Sequence, residues 1–269
     1  DNRMVKSPEA LAAIRTGGKI LGEVLAAAAA AVKVGASTKS LDELAEKLIR
    51  AAGGRPAFLG YKISARDSAY PATLCVSVND EVVHGIPKAS HIIQDGDIVG
   101  LDIGMEWPYK EGGPKGFYTD TAISVIAGTP RPGDAELLTR TYESLCEGIR
   151  AAKLGNEIKD ISRAIETSLK PFPYGVVRDL VGHGVGYAVH EEPQVPNFVD
   201  RRTPQVRLLT GMVLALEPMV ATGGMDVYTD SDGWTVRTED GSRSAHFEHT
   251  IIISPDGPEI VTLRPGEKI

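Results

Sequence analysis

Apolar and polar residues alternate at helical spacing through the first part of the chain. Ser7-Pro8-Glu9 has the order of a helix start, with serine as the cap and proline in the first turn. The apolar positions within 11–25 recur every three or four residues and predict a helix that Gly35 ends. A second helix is predicted over residues 40–52, with its apolar residues on one face and Gly53 directly after it.

Short apolar segments typical of β-strands follow the two helices. They cover residues 73–78, 98–103 and 121–126. Proline and glycine then cluster in residues 127–134, the best candidate for an internal boundary. Beyond this boundary the pattern restarts with helices predicted over 135–152 and 159–169, and with further strands to the C-terminus.

The restart resembles a diverged internal repeat. Residues 33–49 are similar to residues 153–169, and residues 95–102 are similar to residues 209–217. Each match alone is weak, but the two occur in the same order along the chain. A duplication is therefore a reasonable interpretation.

Two related units of helices and antiparallel strands would face each other. Residues from both would then meet at the interface, which is a usual place for a pocket. We predict an α+β fold with mainly antiparallel sheet flanked by helices. Residues 1–269 would form a single domain with pseudo-two-fold symmetry, and its halves would cover about 5–127 and 134–265.

The composition is that of an ordinary globular protein. Hydrophobic residues make up 42% of the 269 residues and charged residues 24%, which is enough for a sizeable core. The net charge of -7 argues against a predominantly nucleic-acid-binding surface. Cys75 and Cys146 form no paired motif, so a reduced, cytoplasmic setting is expected. The longest apolar run, residues 24–32, is too short to span a bilayer, and no membrane association is expected.

Four carboxylates and one imidazole stand in short apolar stretches that read as strands. They are Asp102, Asp120, His183, Glu217 and Glu248. A carboxylate is costly to bury unless it is paired or bound to metal, and two divalent cations would balance four of them. The alternative is that these are isolated surface or paired residues, but the shared apolar context of all five disfavours it.

An oxygen-rich ligand set with one imidazole suits Mn, Fe or Co, and Zn is also compatible. Two such metals about 3.5–4 Å apart lower the pKa of a shared water and polarise a carbonyl group. The five residues therefore predict a dinuclear metalloenzyme that catalyses hydrolysis.

Two further histidines stand beside glycine or near proline, at predicted loop or strand ends. His84 lies in NDEVVHGIP and His190 in AVHEEPQVP. A neutral imidazole can bind a peptide group by hydrogen bonds and stabilise a developing oxyanion. On position alone, a purely structural role is the more common explanation for such a histidine.

Seven motifs extend over nearly the whole chain. In order they are NDEVVHGIP, DGDIVGLDIG, GHGVG, HEEPQVP, LEPMV, DGWTVRT and FEHTIII. In this combination they resemble the type I methionine aminopeptidases. The resemblance implies the pita-bread fold of two related α+β halves. It also implies a cytoplasmic, metal-dependent aminopeptidase that removes the initiator methionine from nascent proteins.

The resemblance further implies individual metal-binding roles. Asp102 would bind one metal, and Asp120 and Glu248 would bridge two. His183 and Glu217 would complete the second metal site. Glu217 would also take part in proton transfer.

Substrate contacts are implied in the same way. His84 and His190 would contact the substrate peptide, and His190 would favour the tetrahedral intermediate. An apolar pocket for the methionine side chain would be lined by Tyr61, Tyr70, Cys75 and Trp234. For Cys75 and Trp234, plain core packing is the alternative.

The expected partners are N-terminal methionine peptides and nascent polypeptides at the ribosome, with a small second residue preferred, and the expected state is a monomer. One rival function is that of a related Xaa-Pro peptidase, and another is that of a catalytically inactive binding module. The stretch between Asp102 and Asp120 is longer than in the family and is predicted to form an extended hairpin loop.

Overall fold

The computed structural model describes residues 4–269. Its helices are α1 (Pro8–Ala30), α2 (Thr38–Ala51), α3 (Asp134–Ala151) and α4 (Ile158–Leu169). Before α3 the strands are β1 (Arg55–Pro56), β2 (Leu74–Val78), β3 (Glu81–Val83), β4 (Ile98–Trp107) and β5 (Phe117–Ile126). After α4 they are β6 (Gly175–Val176), β7 (Gly182–Gly184), β8 (Glu191–Val195), β9 (Val213–Leu216), β10 (Met219–Ala221), β11 (Val227–Thr229), β12 (Val236–Thr238), β13 (Ser244–His246), β14 (His249–Ser254) and β15 (Gly257–Ile260). No helix within residues 4–269 is both long enough and apolar enough to cross a membrane.

Serine caps determine where the first two helices begin. The hydroxyl groups of Ser7 and Ser37 each accept a hydrogen bond from the backbone N–H three residues later, at 3.1 Å in both cases. The predicted start of α1 is therefore confirmed. The predicted end at Gly35 was wrong, because α1 ends at Ala30, and α2 begins at Thr38 rather than at residue 40.

Each helix pair covers its own antiparallel sheet, and we call each pair with its sheet a unit. The pair α1 and α2 packs on β2 and β4, in a sheet of order β1-β4-β2 with β5 also paired to β4. The pair α3 and α4 packs on β9 and β14, in a sheet of order β15-β14-β9-β7-β8. A third apolar cluster, which includes Cys75, Trp234 and Ile252, draws residues from both units. The predicted α+β architecture is confirmed.

The two larger sheets are joined beside the predicted metal ligands. The backbone groups of Ala122 and Glu248 bond in both directions, with N···O distances of 3.2 and 3.0 Å. The Thr250 hydroxyl accepts a hydrogen bond from the N–H of Asp120 at 3.0 Å and donates one to its carbonyl at 2.7 Å. These bonds fix β5 against the segment that carries Glu248.

The hairpin loop predicted between Asp102 and Asp120 is confirmed, since β4 and β5 pair as a hairpin whose loop covers residues 108–116. The strands extend a few residues further into this stretch than the sequence predicted, to Trp107 and from Phe117. Trp107 anchors the end of β4, because its indole N–H donates to the carbonyl of Ala52 at 3.1 Å. This contact with the end of α2 has no local sequence signature.

The two units share backbone features at corresponding places. Gly35 and Gly155 have φ values of 88° and 87° in the turns before α2 and α4. Gly96 and Gly211 have φ values of 82° and 86° in the turns before β4 and β9. A left-handed conformation at these sites is accessible to glycine at little cost, which explains why the sequence matches retain it.

Candidate metal centre and active site

A cavity of about 640 Å³ lies between the two units. All eleven residues predicted for the site line it, namely Tyr61, Tyr70, Cys75, His84, Asp102, Asp120, His183, His190, Glu217, Trp234 and Glu248. We refer to it as the central cavity. The structure thus brings together residues that are widely separated in the sequence.

Neighbouring strands present two of the carboxylates to the central cavity. The pairing of β4 with β5 places Asp102 opposite Ala122 and Asp120 opposite Gly104. Because side chains alternate between the two faces of a sheet, the two aspartates are diagonal neighbours on the same face. Both are buried, and both occupy strands as predicted.

The strand prediction was wrong for Glu217, whereas Glu248 lies outside the named strands but forms an antiparallel bridge with Ala122. Glu217 lies in the two-residue break between β9 and β10, and Glu248 lies in the break between β13 and β14. At both breaks the chain passes from one sheet to another, since β9 pairs with β14 whereas β10 pairs with β13. The turned backbone at these crossings places the two glutamates beside the aspartates.

Glycines on either side of His183 allow three strands to approach closely. A Cβ at Gly182 would clash with the carbonyl of Ala215 in β9, and one at Gly184 would clash with the carbonyl of Glu192 in β8. This explains the GHGVG motif as a packing requirement around the imidazole.

The protonation of His183 follows from one contact. Its Nδ1 lies 2.9 Å from the carbonyl oxygen of Gly184. A carbonyl oxygen only accepts hydrogen bonds, so Nδ1 carries the hydrogen and Nε2 is left with a lone pair. Burial, and then the nearby imidazole of His190, lower the pKa of His183 to about 3, so the ring is neutral.

The unprotonated nitrogen of His183 faces carboxylate oxygens. Its Nε2 lies 3.4 Å from Oε1 of Glu217 and 3.8 Å from Oδ2 of Asp120. The unprotonated imidazole nitrogen and the ionised carboxylate oxygens are all hydrogen-bond acceptors, so they cannot hydrogen-bond to one another. A cation between these atoms would satisfy all of them.

Unpartnered oxygen atoms support the same conclusion. Within residues 4–269, Oδ1 of Asp102, Oδ1 of Asp120 and Oε1 of Glu248 are buried and make no hydrogen bond. Donor atoms of His183, Glu217 and Glu248 lie within 4.8 Å of one another. Burying unpaired charged oxygens is costly, so this donor set fits divalent metal.

Burial strongly raises the pKa values of the four carboxyl groups. It raises the pKa of Asp102 to about 7 and that of Glu217 to about 8. Burial, and then repulsion from the neighbouring carboxylates, raise the pKa values of Asp120 and Glu248 well above their usual range. Metal must therefore compete with protons for these four groups.

The metal-free protein should lose stability as the pH rises from about 4.5 to about 8. Across this window the folded chain retains carboxyl protons that the unfolded chain has released, because its pKa values are raised. The folded state then binds more protons, so its free energy of unfolding falls with rising pH, by on the order of 2–4 kcal/mol. Urea unfolding of chelator-treated protein at pH 5 and pH 8 measures the difference.

Added divalent metal provides the control for this experiment. Metal binding displaces the protons, so it should stabilise the protein more at pH 8 than at pH 5. Equal stabilisation by metal at the two pH values would contradict the assignment of these carboxylates as its ligands.

His246 is a residue of the centre that the sequence reasoning missed. It is buried, and its Nε2 lies 3.3 Å from Oε2 of Glu217, whereas His183 lies nearest to Oε1. Donor atoms of His246, Asp102 and Glu248 also lie within 4.8 Å of one another. A signal was present, because residues two apart in an extended segment share a face and His246 precedes Glu248 by two.

The two other predicted histidines lie at strand ends, as expected. His84 follows β3 and has φ of 59°, a left-handed conformation that is uncommon outside glycine and that concentrates at functional sites. His190 directly precedes β8, and its ring centroid lies 4.5 Å from that of His183.

Both of these imidazoles are neutral near pH 7. Burial, and then the imidazoles of His190 and His246, lower the pKa of His84 to about 4. His190 is an exposed residue whose ring packs against those of Tyr61 and His183, and the burial of the ring by these neighbours lowers its pKa to about 4. Each ring can therefore donate one hydrogen bond and accept another.

An apolar wall lies beside the metal ligands. The rings of Tyr70 and Trp234 meet edge to face with centroids 5.3 Å apart, and Cys75 lies opposite Asp102 in the pairing of β2 with β4. Cys75 and Trp234 belong to an apolar core cluster and also line the central cavity. Sequence reasoning did not find the other apolar lining residues, Phe58, Ile63, Val83, Leu180, Val181 and Met219.

Comparison with known proteins identifies the family of this chain. The model of metallopeptidase family M24 matches residues 12–255. A methionine aminopeptidase of Aquifex aeolicus is 44% identical over 250 residues, covering 93% of this chain and 94% of that protein. Methionine aminopeptidase 1 of Bacillus subtilis is 42% identical over 258 residues, covering 96% of this chain and 98% of that protein.

Solved structures show the same fold. The methionine aminopeptidase of Thermotoga maritima has a TM-score of 0.88 at 36% identity and covers 97% of this chain and 99% of its own. The prolidase of Pyrococcus horikoshii has a TM-score of 0.76 at 21% identity and covers 99% of this chain but 65% of its own, a likeness of fold alone. The predicted pita-bread fold is confirmed. The chain belongs to the methionine aminopeptidases of metallopeptidase family M24.

Proposed function

We propose that this protein removes the N-terminal methionine from peptides and nascent proteins by metal-dependent hydrolysis. The observation that carries the proposal is the set of unpartnered, buried carboxylate oxygens beside an apolar, aromatic wall in one cavity. The first feature suits metal-assisted hydrolysis, and the second suits an unbranched thioether side chain. The family of the chain and the names of its relatives support the same activity.

Two divalent cations are the cofactor we propose, drawn from Mn, Fe, Co or Zn. Asp102 would hold one of them and Asp120 and Glu248 would bridge both. His183 and Glu217 would complete the second site. Bound there, the cations would supply an activated water and a polarised peptide carbonyl.

Three residues would handle the proton and the developing charge. Glu217, which lies beside the other ligands of the centre, would accept the proton that the activated water loses and pass it to the leaving amine. His84 and His190 are neutral and would donate hydrogen bonds to the peptide. His190 would favour the tetrahedral intermediate, where negative charge develops on the former carbonyl oxygen.

The methionine side chain would enter the apolar part of the central cavity, against Tyr70, Cys75 and Trp234. Tyr61 would lie at its edge, next to His190. A small second residue should be preferred, as in the family.

The site would form only when both units dock. In this proposal one catalytic domain consists of two related halves, about residues 5–127 and 134–265. Asp102 and Asp120 come from the first half, and the other three ligands come from the second. The shared φ values of paired glycines such as Gly35 and Gly155 support this division.

We place the activity in the cytoplasm, on nascent chains at the ribosome, and expect the protein to act as a monomer. No binding of nucleic acid is proposed, since the net charge is -7.

Purified protein loaded with Mn(II) or Co(II) should release methionine from Met-Ala-Ser at least about tenfold faster than from Met-Leu-Ser. It should leave Ala-Pro-Ser uncut, because that peptide lacks the thioether side chain. Preferential cleavage of Ala-Pro-Ser would favour an Xaa-Pro peptidase instead. Metal binding without cleavage of any peptide would favour a binding module.

A further inference from the structure

The ring of His190 is held by a residue from the other unit. Tyr61, in the segment between β1 and β2, places its hydroxyl oxygen 2.8 Å from Nδ1 of His190. The two rings meet edge to face, with centroids 5.1 Å apart. The contact joins positions separated by 129 residues in the chain.

Tyr61 is placed firmly even though the loop after it is exposed. Its backbone N–H donates to the carbonyl of Phe58 at 2.9 Å, and its own carbonyl accepts from the N–H of Tyr70 at 2.8 Å. The N–H of Gly60 donates to the carbonyl of Tyr70 at 2.9 Å. These bonds close residues 61–70 into a loop whose base holds the phenol in place.

The backbone around His190 is fixed through its neighbour Glu191. Glu191 accepts a hydrogen bond from the N–H of Ala188 at 2.6 Å and pairs with the buried ammonium group of Lys6 at 2.7 Å. With the backbone held through Glu191 and Nδ1 bound to Tyr61, the position of the ring is determined. What remains variable is which ring nitrogen carries the hydrogen.

The chemistry of the two groups determines that choice. A neutral imidazole carries one ring hydrogen, and the nitrogen without it is an acceptor. A phenol is a better hydrogen-bond donor than a neutral imidazole, and an imidazole nitrogen is a better acceptor than a phenol oxygen. Among residues 4–269, Nδ1 of His190 is the hydrogen-bond partner found for the Tyr61 hydroxyl.

We propose that Tyr61 is a positioning residue whose hydroxyl donates to Nδ1 of His190 and so keeps the hydrogen on Nε2. The inference rests on the proposed function, in which His190 donates to the oxyanion. The opposite tautomer would present a lone pair to the developing negative charge and would repel it. Tyr61 would therefore have two roles, since it lines the methionine pocket and also acts on the reaction through His190.

The tautomer can be measured directly in the Zn-loaded wild-type protein. Two-bond ¹H–¹⁵N NMR correlations distinguish Nδ1–H from Nε2–H, and the His190→Ala variant assigns the signals. We expect the Nε2–H form of His190 to predominate in wild type and a mixture of both forms in Tyr61→Phe. A predominant Nδ1–H form in the wild-type protein would overturn the proposal without any variant.

A double-mutant cycle separates positioning from a structural role. Tyr61→Phe should lower kcat roughly three- to tenfold with KM within about twofold, the size expected for one lost hydrogen bond. The same substitution in a His190→Ala background should have no further effect on kcat. An equal loss in both backgrounds would show that Tyr61 merely shapes the loop and would overturn the proposal.

A control variant and the parent activity complete the experiment. Tyr228→Phe, at an exposed tyrosine of β11, should leave both kcat and the His190 signals unchanged. Wild-type protein that cleaves no methionine peptide would count against the proposed function. Normal cleavage with an unchanged tautomer in Tyr61→Phe would count against the Tyr61 inference alone.

Discussion

Replacing Asp102 with asparagine should lower kcat/KM for Met-Ala-Ser by at least about 10³-fold, which corresponds to about 4 kcal/mol of barrier. The substitution keeps the size of the side chain and removes the charge that would hold one metal. Asp102 is buried, and its Oδ1 has no hydrogen-bond partner within residues 4–269, so the structure offers no other use for that charge. Steady-state kinetics and elemental analysis of bound metal measure the two effects together.

The matched control is Asp256→Asn, at an exposed aspartate in the turn between β14 and β15. This variant should keep wild-type activity and metal content. Asp102→Asn protein that folds normally and retains both full metal content and turnover would refute the ligand assignment.

Replacing His190 with alanine should lower kcat on the order of 10²- to 10³-fold, the usual cost of losing one oxyanion donor. The neutral imidazole lies beside His183 at the edge of the metal ligands, where it can donate to the substrate oxygen. Because His190 is not proposed as a metal ligand, the variant should keep its metal. Single-turnover kinetics with a metal assay on the same sample measures this.

His91→Ala is the matched control, since His91 does not line the central cavity. It should have normal kcat. Loss of metal from His190→Ala to the same extent as activity would contradict the proposed division between ligands and donors, because it would make His190 a ligand.

Local pattern was enough to predict the parts of the fold that depend on local interactions. The start of α1 follows from a serine cap, and the central residues of β4 and β5 follow from their apolar runs. The end of the hairpin was not predictable in this way, since Trp107 is held by Ala52 of a distant segment. Likewise, the breaks at Glu217 and Glu248 arise from strands changing sheets, which depends on pairing across the whole chain.

The same distinction applies to the site. All eleven predicted residues line one cavity, because costly buried charges and the resemblance to a known family identify them without any knowledge of contacts. The contacts between them were beyond sequence reasoning. The close contact between His246 and Glu217 and the hydrogen bond between Tyr61 and His190 join residues that only the folded chain brings together.

The most direct test of metal-dependent hydrolysis is a metal titration of chelator-treated protein that follows methionine release from Met-Ala-Ser. We expect no release without metal, and release that rises with bound Mn(II), Fe(II) or Co(II) until two ions are held per chain. Release that is independent of metal would contradict it, and so would a fully loaded protein that leaves the peptide uncut.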